Sequence, residues 1–180
     1  LDLASLASVR QAAEELKGRH SRLSVLINNA GIMAIPFRKT PDGFEMQLGT
    51  NHFGHFAWTG LLMDTLEPEG RIVNVSSAAH NLGTMDFSNL DWEKGYHRWT
   101  AYGRSKLANL LFSYELSRKL SRAGRAQRAL AAHPGYAATN LQSQGSAMEG
   151  GTLEGSIMAI GHRILARSEE HTSELQSHSD

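Results

Sequence analysis

The sequence contains no cysteine, so disulfides, thiolate nucleophiles and cysteine-based zinc sites are excluded. It has no net charge, because 18 basic and 18 acidic residues cancel. No strongly charged partner such as nucleic acid is implied. No uninterrupted apolar run approaches the ~20 residues that a membrane span needs. Aromatic residues are few, at 7%. What is present is a chain of 180 residues, 41% of them hydrophobic, enough for one domain with one core and too apolar for a disordered chain. Seventeen glycines predict tight turns and close backbone approach.

The ends differ from the middle. The chain opens at Leu1 rather than Met, on residues that read as the end of an element. No secretory signal pattern is visible, so the expected location is the cytoplasm. Residues 168–180 hold four acids and no base, and they show neither a helical stripe nor a strand alternation. The run Arg167 to Ser177 resembles the in-frame translation of a common sequencing adapter. Residues 167–180 are therefore expected to be a non-native tail, with the domain confined to 1–166.

Between the ends, strands and helices alternate. Ser5 to Leu16 has helical spacing, with Ser5 or Ser8 as cap. Leu23 to Ile27 reads as a strand buried on both faces. Asp42 to Leu66 reads as one long helix, with Asp42 and Glu45 spaced like a capping box. Ile72 to Ser77 predicts a second buried strand, and Ala129 to Ala132 a third. Ala101 to Leu120 predicts a helix with Leu107, Leu110, Leu111, Tyr114 and Leu120 on its apolar stripe. Gly145 to Gly155 reads as a loop. This alternation implies βαβ units and an α/β fold with a parallel sheet, ligands binding beyond the carboxyl ends of the strands. Asn28 to Gly31, Ser76-Ser77 and His133 to Gly135 all fall at those ends.

Tyr102 and Lys106 stand four apart on one helix face. A nearby ammonium favours phenolate, so the pairing predicts a lowered tyrosine pKa and a general acid or base. Alone, this spacing is as common in surface pairs. Ser77 ends a strand and could polarise a carbonyl; Asn51 sits in a helix, where asparagine is a poor former. Asn28 to Gly31 alone could be a turn, and Pro134-Gly135 a strand stop.

Taken in order, Asp2-Leu3, NNAG (28–31), NHFG (51–54), VNVSS (73–77), YGRSK (102–106) and HPGYAAT (133–139) resemble the short-chain dehydrogenase/reductase family, in phrasing closest to its retinol dehydrogenase branch. The resemblance implies an incomplete Rossmann-like doubly wound sheet and an NAD(P)-dependent oxidoreductase, with NAD or NADP as cofactor and a hydrophobic alcohol or carbonyl as substrate. It implies Tyr102 as proton donor or acceptor, Lys106 on the nicotinamide ribose, Ser77 on the substrate oxygen (Ser76 being the near miss), and Asn51 holding a relay water. Asn28, Ala30 and Gly31 would pack on the adenosine side, Asp2 would approach the adenine, and Pro134, Gly135 and Thr139 would bracket the nicotinamide and pyrophosphate. The resemblance implies a dimer or tetramer pairing through the helices at Asp42 to Leu66 and Ala101 to Leu120, with a homodimer of the full-length protein expected.

One family pattern does not occur in these residues: the Gly-rich phosphate loop TGxxxGIG, which offers backbone amides to a pyrophosphate. The alternative reading is therefore an inactive fragment or interaction module, and the chain as written is expected to show no measurable turnover and poor solubility. The scattered histidines lack an HExxH frame, so no metal is expected. Arg118, Lys119, Arg122, Arg125 and Arg128 read as a solvated helix end. Trp99, just before Tyr102, reads as packing or as a substrate contact.

Overall fold

Three strands form one parallel sheet in the order β1-β2-β3: β1 (Leu23–Asn28), β2 (Leu66–Val75) and β3 (Arg128–Ala132). The structure is a computed structural model and describes residues 1–92 and 94–133. The chain divides into two units, Leu1–Gly135 and Tyr136–Asp180, and every described residue belongs to the first. Pro134, Gly135, Thr139, the 145–155 loop, the boundary at 166 and the tail lie outside the described residues.

Helix α1 (Leu6–Arg19) precedes β1, and Ser5 caps it by accepting from the Ser8 amide. The single long helix expected over 42–66 is broken into pieces. It comprises α2 (Met46–Leu48), a π-helical turn at Gly49–Phe53, α3 (Gly54–Leu62) and a 3₁₀ turn at Met63–Thr65. Its cap is Glu45 alone, whose carboxylate accepts from the Gln47 and Leu48 amides. Asp42 instead reaches across to the first turn of α1 and accepts from the Leu6 amide at 2.8 Å. The capping-box spacing is present, but one of its acids caps a different helix. Asp42→Ala is expected to cost about 1 kcal/mol, the usual worth of a capping carboxylate, read as a lower urea midpoint.

The core joins Ala13, Leu26, Leu62, Leu66, Ile72, Leu120 and Ala129, so α1, α3 and α4 (Arg98–Arg122) pack on one face of the sheet. The opposite face is open. Val25 is 48% exposed, Ile27 61% and Leu130 44%. β1 is thus buried on one face only, correcting the expectation of burial on both; a continuous apolar run cannot say which faces find a partner. Among the described residues no helix is long and apolar enough to cross a membrane.

α4 also departs from its expected stripe. Leu111 and Tyr114 point outward, 46% and 66% exposed. The buried face of the helix includes Tyr102, Ser105, Lys106, Asn109 and Ser113. That face is polar because a hydrogen-bonded site lies beneath it.

Candidate active site

β1 ends at Asn28, in register with Asn74, the residue before the end of β2; both are 1% exposed. Asn28 Nδ2 donates to Asn74 Oδ1 at 2.7 Å and to Thr59 Oγ1 at 2.8 Å. Asn74 Nδ2 donates to Ser113 Oγ at 2.9 Å. This buried ladder ties β1, β2, α3 and α4 together just below the strand ends. The ladder uses Asn28 Nδ2, while Asn28 Oδ1 is buried with no hydrogen-bond partner among the described residues.

Beyond the ladder, Val75 presents its carbonyl to two donors of α4. Lys106 Nζ lies 3.1 Å from it and Asn109 Nδ2 3.3 Å. The next two residues divide the work. Ser76 donates its hydroxyl to the Lys106 carbonyl at 2.8 Å and is buried. Ser77 leaves the strand and caps a 3₁₀ turn through the Ala79 amide, and its hydroxyl is close enough to the Tyr102 phenol to lower its pKa. Of the two serines, then, Ser77 meets the phenol and Ser76 is spent on the helix backbone.

Tyr102 is 5% exposed and Lys106 4%. The Lys106 ammonium sits 5.7 Å from the Tyr102 ring centroid. Burial pushes the Tyr102 pKa above its ordinary value, and the Ser77 hydrogen bond pulls it partly back. This reverses the expected lowering by Lys106. Spacing brings the two side chains onto one face, but it does not disclose that both are desolvated. Burial lowers the Lys106 pKa to about 8, so the ammonium persists at neutral pH and gives way just above it.

Asn51 lies inside the π-helical turn and is fully buried. Such turns offset the helical ladder by one residue and recur at functional sites. Its Oδ1 accepts from the Ile32 amide at 2.8 Å, and its Nδ2 donates to the Ile32 carbonyl and to Ser105 Oγ, each at 2.9 Å. The side chain therefore fastens the loop after β1 to α4. Its own carbonyl pairs with His55 Nδ1 at 2.9 Å.

Asp2, Leu3, Ala30, Gly31, Ile32 and Thr50 line a cleft of about 450 Å³. Three residues expected on the adenosine side, Asp2, Ala30 and Gly31, thus share one wall. Asp2 also accepts from the Ala4 amide, which holds its turn. A Cβ at Gly31 would stand 3.0 Å from Asn51 Oδ1 and 3.6 Å from Lys106 Nζ. Backbone approach at Gly31, beside a buried ammonium, fits the sugar side of a dinucleotide. Asn51 is pinned by three hydrogen bonds and cannot yield. Gly31→Ala is therefore expected to cost about 1–3 kcal/mol in urea unfolding by crowding Asn51.

Several contributors escape a reading by hydrophobic pattern. Asn74, Ser105, Asn109 and Ser113 are buried for their hydrogen bonds, not for apolar surface. Their signal is compositional: a helix whose best hydrophobic stripe leaves several small polar residues unexplained. Trp99 stands edge-on to Tyr102, centroids 6.4 Å apart. Among the described residues no group of three metal-ligating side chains occurs.

A parallel α/β sheet, with Ser77 just beyond β2 facing Tyr102 and Lys106 of α4 beside a glycine-walled cleft, defines a Rossmann-like protein with a candidate site at the carboxyl edge. The comparisons agree. The family model for short chain dehydrogenase matches residues 1–150. The chain belongs to the short-chain dehydrogenase family. It is 44% identical over 173 residues to human retinol dehydrogenase 13, covering 94% of this chain and 51% of the relative. A crystal structure of a Mycobacterium paratuberculosis protein is 53% identical, with TM-score 0.71, covering 81% of this chain and 52% of that one. A metagenomic blue fluorescent protein solved in complex with NADPH is 29% identical, with TM-score 0.60, over 78% of this chain and 52% of that one. The chain spans about half the length of the relatives it matches.

Proposed function

We propose that these residues form the catalytic half of an NAD(P)-dependent oxidoreductase acting on an alcohol or carbonyl of apolar character. One observation carries the reading: Ser77, Tyr102 and Lys106 converge where β2 ends, next to the cleft at Gly31. The bound nicotinamide supplies the hydride chemistry. Lys106 would hold the nicotinamide ribose, and the wall at Ala30-Gly31 would pack on the adenosine side. Asp2 faces the same cleft. Tyr102, kept as phenol by burial, gives its proton to the substrate oxygen during reduction. Ser77 holds that oxygen and the phenol at once. Asn51 fixes the loop after β1 against α4, so the cleft keeps its width. The apolar substrate is supported by the similarity to human retinol dehydrogenase 13 and by the position of Trp99. A homodimer is supported by Phe56, Leu111 and Tyr114, which stand exposed on α3 and α4.

The test uses protein expressed from the whole reading frame in which these residues lie. It should oxidise NADH or NADPH when given a long-chain or polyene aldehyde, faster than with acetaldehyde. Failure to bind either cofactor would refute the reading. A second reading is favoured by the open sheet face at Val25, Ile27 and Leu130. Under it the 180-residue chain associates through that face and does not turn over; gel filtration with and without NADPH separates the two.

A further inference from the structure

Arg104 lies between the two residues of the Tyr102–Lys106 pair but projects from the other side of α4, about 200° around from Tyr102. It is 2% exposed. Its guanidinium is spent mostly on neutral partners. Nε donates to the Thr84 carbonyl at 2.9 Å and Nη1 to the Asn89 carbonyl at 2.7 Å. The carbon Cζ lies 4.3 Å from the Trp92 ring centroid. The carboxylates of Asp86 and Glu45 face it from outside α4.

Burying a guanidinium is costly unless its donors are used. Here they are used on a connecting segment that starts at the site itself. Ser77, whose hydroxyl bears on the Tyr102 phenol, opens the stretch that runs from β2 to α4. Two other contacts hold the same stretch. A Cβ on Gly103 would stand 2.6 Å from the Ala79 carbonyl oxygen, so backbone lies directly on backbone there. Further along, the Tyr96 hydroxyl donates to the Ile35 carbonyl at 2.9 Å and accepts from Gln47 Nε2 at 2.8 Å. Trp92 is held at φ 52°, a left-handed conformation that a bulky residue adopts only when its surroundings force it. The surroundings are the Arg104 plane on its ring and the Tyr96 ring, 5.6 Å away and near-perpendicular.

We propose that Arg104 is a positioning residue: by gripping the Thr84 and Asn89 carbonyls and stacking on Trp92, it fixes the segment after β2 at the distance from α4 that keeps Ser77 on Tyr102. A lysine could not do this, since a point charge cannot reach two carbonyls and a ring in one plane. The proposal rests on the reading above only in treating Ser77 and Tyr102 as the reacting pair.

A double-mutant cycle on the 180-residue chain tests it without cofactor or turnover. Tyrosines carry a ¹³Cζ label, and Tyr102→Phe assigns the Tyr102 signal. In the parent, Ser77→Ala should move the Tyr102 titration to higher pH, because the Ser77 bond holds it down. In an Arg104→Lys or Arg104→Gln background the same change should have no effect, and amides at 84–92 should exchange at least about tenfold faster while those of β2 do not. Should neither background fold, Trp92→Leu removes the stack with Arg104 in place and must likewise weaken the Ser77→Ala effect. An equal Ser77→Ala shift in both backgrounds would overturn the proposal, even if the loop exchanges faster. These readouts stand apart from hydride transfer, so failure here and failure of the proposed activity are separate results.

Discussion

Replacing Tyr102 with phenylalanine is expected to slow hydride transfer by about 10²–10⁴-fold while leaving cofactor affinity nearly unchanged. The change removes only the hydroxyl. The ring keeps its place against Trp99, and Lys106 keeps its bond to Val75. What is lost is the proton that must reach the substrate oxygen as negative charge builds there. Ser77 remains and supplies the residual rate. The pH dependence has a definite sign. Reduction needs phenol and ammonium, and burial holds Tyr102 as phenol through the neutral range. The rate should then be flat up to about pH 8 and fall above it as Lys106 loses its proton. Rapid-mixing measurements of NAD(P)H oxidation from pH 6 to 10 check both statements.

Lys106→Met should abolish the reaction and yet stabilise the fold. The Lys106 ammonium is buried, and its pKa falls from the ordinary 10.5 to about 8. Below pH 8 both the folded and the unfolded chain hold the proton, so the full penalty applies. From there to 10.5 the unfolded chain holds more protons, and stability climbs with pH. Above that range the penalty is gone. The gap corresponds to a cost on the order of 3 kcal/mol at neutral pH. Methionine fills nearly the same volume, and the Val75 carbonyl keeps Asn109 Nδ2 as donor. Urea unfolding at pH 7 should therefore show a more stable variant, by on the order of 1–3 kcal/mol, and one lacking the rise between pH 8 and 10. A less stable variant would mean that the Lys106–Val75 bond outweighs the cost of burying the charge.

β1 and the end of β2 were legible as short apolar runs rich in β-branched residues, and β3, which has none, from the Pro134-Gly135 stop, whereas Leu66–Arg71 of β2 was read as helix end and turn. β1 extends one residue beyond the expected end at Ile27, and β3 reaches one residue further back than Ala129. The pairing of Tyr102 with Lys106 was legible from helical spacing, and its electrostatics were not. Spacing is local, whereas the desolvation that raises one pKa and lowers the other comes from β2 and the segment behind it. The break in the helix expected over 42–66 was hidden for a related reason. Asp42 fits a capping box by its number but is drawn to α1, a partner 36 residues away. The buried face of α4 was misjudged toward Leu111 and Tyr114 because a hydrophobic scale cannot see that Asn109 and Ser113 have partners waiting inside.

The central claim is that Tyr102 delivers the proton in a nicotinamide-dependent reaction at the end of β2. The most direct measurement follows deuterium from C4 of the reduced cofactor into an apolar aldehyde in a single turnover, with parent and Tyr102→Phe compared at saturating cofactor. The structure predicts label on the carbinol carbon with the parent and a transfer slowed by about 10²–10⁴-fold in the variant, with cofactor bound equally by both. Undiminished transfer in Tyr102→Phe, or no label from a parent that binds cofactor, would contradict it.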